Sequence, residues 1–242
     1  MQRIGILAHS AEGSALCYLE VCHEGERRLG AHLHPDVVLD IEPWGTSLSD
    51  WEKRNYAPIG RRLASSVARL AAAGAGFFVC PDNTAHMALE AFTDSLSLPG
   101  LHIAEVVADE AKRRGFHRVA ITGTSWTMDG PIYPRVLNHR GIDFAVPSPS
   151  ERATIQQIIV DELLPGRVTA SARASLATIV ERLRGEGCDC VLLGCTELPL
   201  LLDDTTSPLP TLDSTRLLAR AAVDVALGAR PLPTWRGGAL PG

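Results

Sequence analysis

The chain has 242 residues, 45% hydrophobic and 21% charged, a length and balance that suit one large or two small folded domains and exclude a disordered segment. A net charge of −5, no basic run and only 5% aromatic residues exclude a nucleic-acid surface, where clustered Lys and Arg supply most of the affinity. No apolar stretch nears the roughly 20 residues that cross a bilayer, so a membrane is not expected as a partner; the opening MQRIGILAHS reads as a first strand, not a signal peptide, and the expected compartment is the cytoplasm.

The first strand is expected over Arg3–Ala8 and a second over Asp36–Ile41, followed by a long loop, Glu42–Pro58, carrying Trp44, Trp51 and Tyr56. Gly60–Ala73 has apolar residues at helical spacing, and Gly76–Cys80 is a third strand. After a Ser97–Gly100 loop come a helix over Ala104–Arg114 and strands at Arg118–Thr122 and Asp143–Val146, the latter closed by a Pro147–Ser150 loop. Ala172–Arg184 is helical, Cys188–Leu193 is a strand, and Pro208–Pro210 is a loop. Short apolar strands alternating with helices indicate an α/β chain of parallel βαβ units, both sheet faces covered.

A strand and polar turn recurs in each half. Ile4-Gly-Ile-Leu-Ala-His-Ser is answered by Val119-Ala-Ile-Thr-Gly-Thr-Ser, and Phe78-Val-Cys-Pro-Asp-Asn-Thr by Leu192-Leu-Gly-Cys-Thr-Glu-Leu. Ala8 precedes Asp82 by 74 residues and Gly123 precedes Cys195 by 72. Two related halves are expected, residues 1–100 with 210–242 forming one domain and 101–209 the other. Parallel sheets bind ligands beyond the carboxyl ends of their strands, so related halves facing each other set Asp82 and Cys195 on opposite walls of an interdomain cleft.

The six cysteines include no CxxC pair, and Cys188 and Cys190 alternate along a strand, a poor geometry for one metal. Cys17, Cys22, Cys188 and Cys190 read as packed thiols. Cys195 follows an apolar strand and a glycine. With Thr196 and Glu197 in the first turn of a following helix, the site favours a thiolate, although a buried structural cysteine fits the same position. Asp82 is either a helix cap or a catalytic carboxylate, with Asn83 and Thr84 beside it as donors to an anion. Cys80, two residues earlier on the same side of an extended strand, is the other group able to point inward. His86, one turn on, reads as structural or as a support behind the site residues. Ser10, Thr124 and Thr127 occupy strand-end turns facing the same cleft; His9 belongs either to the loop surface or to the cleft wall.

Asn83-Thr84-Ala85-His86 together with Leu193-Gly194-Cys195-Thr196-Glu197-Leu198 resembles the paired signatures of the aspartate/glutamate racemase superfamily, which includes hydantoin racemases, maleate isomerases and arylmalonate decarboxylases. Thr122-Gly123-Thr124, Thr127-Met128 and Leu212-Asp213-Ser214-Thr215 extend the resemblance over nearly the whole chain. It implies two pseudo-symmetric α/β domains, each a parallel sheet flanked by helices, with the active site in the cleft between them. It also implies no cofactor or metal, frequent homodimers, and a pair of opposed acid/base residues, usually two cysteines.

Asp82 stands where the first of those cysteines is usual, Leu164 where aspartate racemases carry a lysine for the distal carboxylate, and Leu218 where a histidine is common. The expected chemistry is removal and return of a proton at a carbon alpha to a carboxylate, by Asp82 and Cys195, in an amino-acid-like or other small carboxylate. Ser10, Asn83, Thr84, Thr124, Thr127, Thr196 and Glu197 are the expected substrate contacts. The alternatives are a decarboxylase, lyase or cis-trans isomerase using Cys195 on the same enediolate, or a non-catalytic binder. Neither a nucleotide or dinucleotide loop nor metal-ligand spacing appears, and Lys53 and Lys112 are poorly placed for a Schiff base.

Overall fold

The computed structural model describes residues 1–240, which fall into two compact units: Met1–Val106 with the C-terminal segment from Thr215, and Val107–Ser214. The first begins with β1 (Ile4–Ala8), α1 (Ala11–Leu29), β2 (Val37–Ile41), α2 (Leu48–Glu52) and α3 (Tyr56–Ala72). It continues with β3 (Phe77–Val79), α4 (Ala85–Ala91), β4 (Gly100–Leu101) and the start of α5 (Ile103–Arg113). The second contains β5 (Arg118–Gly123), α6 (Ser125–Asp129), α7 (Ile132–His139), β6 (Asp143–Ala145) and α8 (Pro149–Gln157). Beyond them lie a π-helical turn at Ile158–Leu163, α9 (Ala170–Gly185), β7 (Cys190–Gly194) and β8 (Thr211–Asp213), and α10 (Ser214–Ala226) then returns the chain to the first unit.

Each unit holds one four-stranded sheet, ordered β2-β1-β3-β4 in the first and β6-β5-β7-β8 in the second, and every pairing is parallel. Strand alternation sorts the first core into two layers. Ile4, Ile6, Phe77 and Val79 pack with Cys17 and Val21 of α1 and Leu218 and Ala222 of α10. Leu7, Phe78 and Cys80 face the other way, against Ile59, Leu63 and Val67 of α3. The apolar stripe of α3 runs Ile59, Leu63, Val67, Leu70, the spacing that keeps one helix face inward. In the second unit Ala120, Val191 and Leu193 pack against Ile155 of α8 and Leu176, Ile179, Val180 and Leu183 of α9. Caps set where these helices begin: Ser148 and Glu151 form a reciprocal capping box on α8, and Thr169 Oγ1 accepts the Ala172 N–H of α9 at 3.0 Å.

Four expectations are corrected. Glu42–Pro58 is not a loop: Trp44–Ser47 form a 3-10 turn, α2 comes next, and α3 begins at Tyr56. Within α2 only Trp51 is buried, and five residues are too short for periodicity to register. Helix α8 starts at Pro149, inside the expected Pro147–Ser150 loop, because proline suits the first helical turn. Two further strands, β4 and β8, have two and three residues and lie at the sheet edges beside the expected loops at Ser97–Gly100 and Pro208–Pro210. No α-helix comes directly after Cys195; only a 3-10 turn, Leu198–Leu200, does, since a helix starting at Thr196 would need an N–H at Pro199 to bond back to the Cys195 carbonyl.

Candidate active site

The parallel register of β1 and β3 pairs Ile6 with Val79, and three residues further on it sets His9 beside Asp82. His9 Nδ1 lies 2.6 Å from Asp82 Oδ2, while Asp82 Oδ1 accepts the Ala85 N–H at 3.0 Å and so caps α4. On its far side the His9 ring meets Trp51, whose indole Nε1–H donates to Nε2 at 3.3 Å. An indole N–H can only donate, so His9 Nε2 offers a lone pair, and Nδ1 carries the hydrogen that reaches Asp82. His9 is 7% exposed and Trp51 1%, yet the Asp82 side chain keeps 18% of its surface. Burial alone would push the Asp82 carboxyl up, but the His9 imidazole, the Ala85 N–H and the nearby His86 outweigh it and hold the carboxyl below its ordinary value.

His86 fastens the same turn from behind. Its Nε2 accepts the Ile103 N–H at 3.3 Å, leaving Nδ1–H to donate to the Asp82 carbonyl at 2.8 Å. The ring is fully buried, stacked on Trp235 and 4.5 Å from His102, and burial followed by the His102 neighbour pushes its pKa down to about 3. Cys80 is completely buried in the α3-facing layer, and burial, then the Asp82 charge, pushes its thiol well up. At this turn the Asp82 side chain keeps some exposed surface and the Cys80 thiol keeps none. Asn83 is buried and Thr84 half-buried; Ser10, half-buried at the N-cap of α1, makes no cap hydrogen bond.

In the second unit the β5–β7 register pairs Gly123 with Gly194, and one residue on it sets Thr124 beside Cys195. A Cβ on Gly194 would lie 2.7 Å from the Thr122 carbonyl and 3.0 Å from Thr127 Cγ2, so both strand ends need glycine to pass this closely under Thr127. Thr124 Oγ1 accepts the Thr127 N–H at the start of α6 and lies 3.3 Å from Thr127 Oγ1. Cys195, 9% exposed, donates its Sγ–H to Glu197 Oε2 at 2.9 Å; Glu197 is 6% exposed and Thr196 half-buried. The expectation that Thr196 and Glu197 begin a helix is thus replaced by a turn in which Glu197 folds back onto the thiol. Leu164 is 56% exposed and Leu218 is sealed in the core, so neither supplies a polar group.

Local sequence leaves His9 between loop surface and cleft wall, and Trp51 between loop packing and a loop that covers the cleft. The signal that finds them is the strand register: adjacent parallel strands ending in His9 and Asp82 bring those two residues together. Among the described residues no group of three or more His, Cys, Asp and Glu side chains is arranged to hold a metal ion, and no helix is long and apolar enough to cross a membrane.

Comparison with known proteins gives this arrangement a context. Residues 11–222 match the Asp/Glu/Hydantoin racemase family. The chain is 28% identical over 167 residues to the broad specificity amino-acid racemase RacX of Bacillus subtilis (strain 168), covering 69% of this chain and 72% of that protein. Its fold is similar to that of an aspartate racemase homologue from Pyrococcus horikoshii OT3, with a TM-score of 0.81 at 24% identity over 94% of this chain and 100% of that one. It is likewise similar to the Picrophilus torridus aspartate racemase, with a TM-score of 0.75 at 22% identity over 93% and 94%.

Proposed function

Because the chain belongs to the Asp/Glu/hydantoin racemase family, we propose that it is a cofactor-independent racemase or epimerase in which Asp82 and Cys195 are the two acid/base groups of one reaction. The substrate is a small carboxylate, amino-acid-like, with an exchangeable hydrogen on the carbon beside the carboxylate. The observation that carries the reading is the opposite polarity of the two partners. Asp82 is surrounded by donors, from His9 and Ala85, whereas Cys195 is bonded to an acceptor, Glu197. Donors favour the carboxylate and an acceptor favours the thiol, so the resting enzyme holds one base and one acid.

In the proposed step the C–H bond breaks toward an Asp82 oxygen, forming O–H, and the electron pair passes into the substrate carboxylate as an enediolate. The Cys195 S–H then breaks and its proton forms the new C–H on the other face, leaving a thiolate. The reverse step on the opposite enantiomer, or exchange with solvent, resets the pair. Asn83, Thr84, Thr124, Thr127, Thr196, Ser10 and Glu197 are the proposed substrate contacts; the N–H and O–H groups of the first six suit the developing negative charge, whereas Glu197 acts as an acceptor.

Asp82 limits the substrate. An ordinary carboxylate titrates near 3.9 and a thiol near 8.5, and at about 1.36 kcal/mol per unit Asp82 is a weaker base than cysteine by roughly 6 kcal/mol. The His9 hydrogen bond widens that gap, so a carbon acid more acidic than a free amino acid, such as a ring imide, a β-dicarbonyl or a malonate-like compound, suits the site best. Leu164, exposed and apolar where a lysine would hold a second carboxylate, argues against aspartate. The broad specificity ascribed to RacX accords with such a site. The same weakness supports a second reading, a decarboxylase, lyase or isomerase in which Cys195 alone delivers a proton and Asp82 orients the substrate.

Incubating amino acids, hydantoins and malonates in deuterium oxide separates these readings. Deuterium entering the substrate carbon with loss of optical rotation and no net conversion is the result expected of a racemase. Carbon dioxide release selects the second reading. Asp82→Asn should abolish exchange in the first case and keep measurable turnover in the second; full exchange in Cys195→Ala would defeat both.

A further inference from the structure

We infer that His9, held by Trp51 as the Nδ1–H tautomer, is the positioning residue that aims Asp82 and keeps it a proton acceptor. The inference rests on the proposed role of Asp82 for its consequence in turnover, but the tautomer itself does not. Four groups stand in series: the Trp51 indole N–H, His9, Asp82 and the Ala85 N–H. The two ends are fixed donors, one an indole and one a backbone amide. Between them the only arrangement satisfying every group has His9 accepting at Nε2 and donating at Nδ1, and Asp82 accepting at both oxygens. The tautomer is therefore dictated by Trp51, which lies on a different element from either partner, in α2.

Burial makes the arrangement binding. With His9 at 7% exposure and Trp51 at 1%, water cannot readily substitute for a lost partner, and the edge-to-face contact of the two rings, with centroids 5.4 Å apart, holds the imidazole plane. Nor is His9 Nε2 available as a base, since it is covered by the indole. The charged and titratable groups facing Asp82 are His9 from the β1–α1 turn, His86 from α4 and Cys80 from the end of β3. Of these His9 alone bonds to a carboxylate oxygen: His86 bonds to the backbone carbonyl, and Cys80 points into the core. The corresponding position beside Cys195 is Thr124, which carries a hydroxyl where His9 carries an imidazole.

Long-range ¹H–¹⁵N spectra of the ¹⁵N-labelled full chain report the tautomer directly. The expected pattern for His9 is a protonated Nδ1 and a bare Nε2; a protonated Nε2 would overturn the inference. The ¹³C titration of the Asp82 carboxyl is then measured in wild type, His9→Ala and His9→Asn. Loss of the donor in His9→Ala should move that titration upward. Asn, whose side-chain N–H₂ stands near the place of Nδ1–H, should hold it near the wild-type position, and an unchanged titration in His9→Ala would refute the positioning role. On a pool of L-amino acids and hydantoins in deuterium oxide, α-proton exchange should fall roughly ten- to hundred-fold in His9→Ala, the fold-change that loss of one hydrogen bond to a charged group corresponds to, with the acid limb of its pH profile displaced upward. His9→Asn should recover most of the rate. If Asp82→Asn still exchanges at the wild-type rate, the proposed base is wrong whatever His9 does. If Asp82→Asn is inactive and His9→Ala exchanges normally with an unmoved acid limb, only the His9 role falls.

Discussion

Replacing Asp82 by Asn tests the hydrogen-bond series without any substrate. Asn offers one acceptor and one donor where Asp offers two acceptors. If its carbonyl oxygen takes the Ala85 N–H, its amide must donate to His9 Nδ1, which forces the His9 hydrogen onto Nε2 and against the Trp51 N–H. If the amide is flipped, it opposes the Ala85 N–H instead. Either way one buried donor loses its acceptor, a cost of about 1–3 kcal/mol. Removing a carboxylate from a largely buried position offsets part of this, so the net effect of the single variant is not diagnostic. The coupling with Trp51 is. Trp51→Phe alone forfeits a satisfied hydrogen bond and some packing volume, but combined with Asp82→Asn it removes the offending donor and lets the series run in the opposite sense. The double variant should therefore be more stable than the sum of the single changes by about 1–3 kcal/mol. Urea midpoints for the four proteins, read by two spectroscopic probes to verify a single transition, supply the cycle. Additivity within about 0.5 kcal/mol would mean that Trp51 does not constrain His9 and Asp82 together.

Cys195→Ser should lower α-proton exchange by at least roughly a hundred-fold, the lower end of what general acid–base catalysis contributes, while the thermal midpoint stays near wild type; exchange within a few-fold of wild type would remove Cys195 from the chemistry. Gly194→Ala should destabilise the second unit by about 1–3 kcal/mol as an overpacked site, because its Cβ would lie 2.7 Å from the Thr122 carbonyl, and a neutral value in urea unfolding would show that β5 and β7 can spread. Stability should also decline with acid in two stages. His86 is neutral when folded, with a pKa of about 3 against an unfolded value near 6.5, so the unfolded state binds the extra proton between those limits. Its contribution is complete above 6.5 and diminishes as pH falls toward 3, with a slope of at most about 1.36 kcal/mol per pH unit. Asp82 and Asp40, the latter held low by Arg69, add their loss below the ordinary carboxylate range near 3.9; a stability profile flat from pH 6.5 to 4 would contradict the buried neutral His86.

The amino-acid sequence by itself determined the α/β class, the repeat and the positions of Asp82 and Cys195 at strand-end turns. Strands such as Ile4–Ala8 and Cys190–Gly194 are short, wholly apolar and bounded by small or polar residues, and helices such as Tyr56–Ala72 repeat their apolar residues at helical spacing, so local pattern suffices to find them. The two-residue β4 and three-residue β8 carry too little pattern to be seen; they exist because a neighbouring strand supplies their hydrogen bonds. The turn after Cys195 likewise reads locally as a helix start, and Pro199 and the pull of Glu197 onto the thiol decide otherwise. Only tertiary structure determined who touches Asp82. Nothing in the composition of Leu48–Glu52 marks Trp51 as a hydrogen-bond donor to a histidine 42 residues earlier, and nothing around His9 announces a carboxylate 73 residues later. Those contacts arise from the register of β1 against β3 and from the packing of α2, which are properties of the assembled sheet and its covering helices; no single stretch of chain contains them.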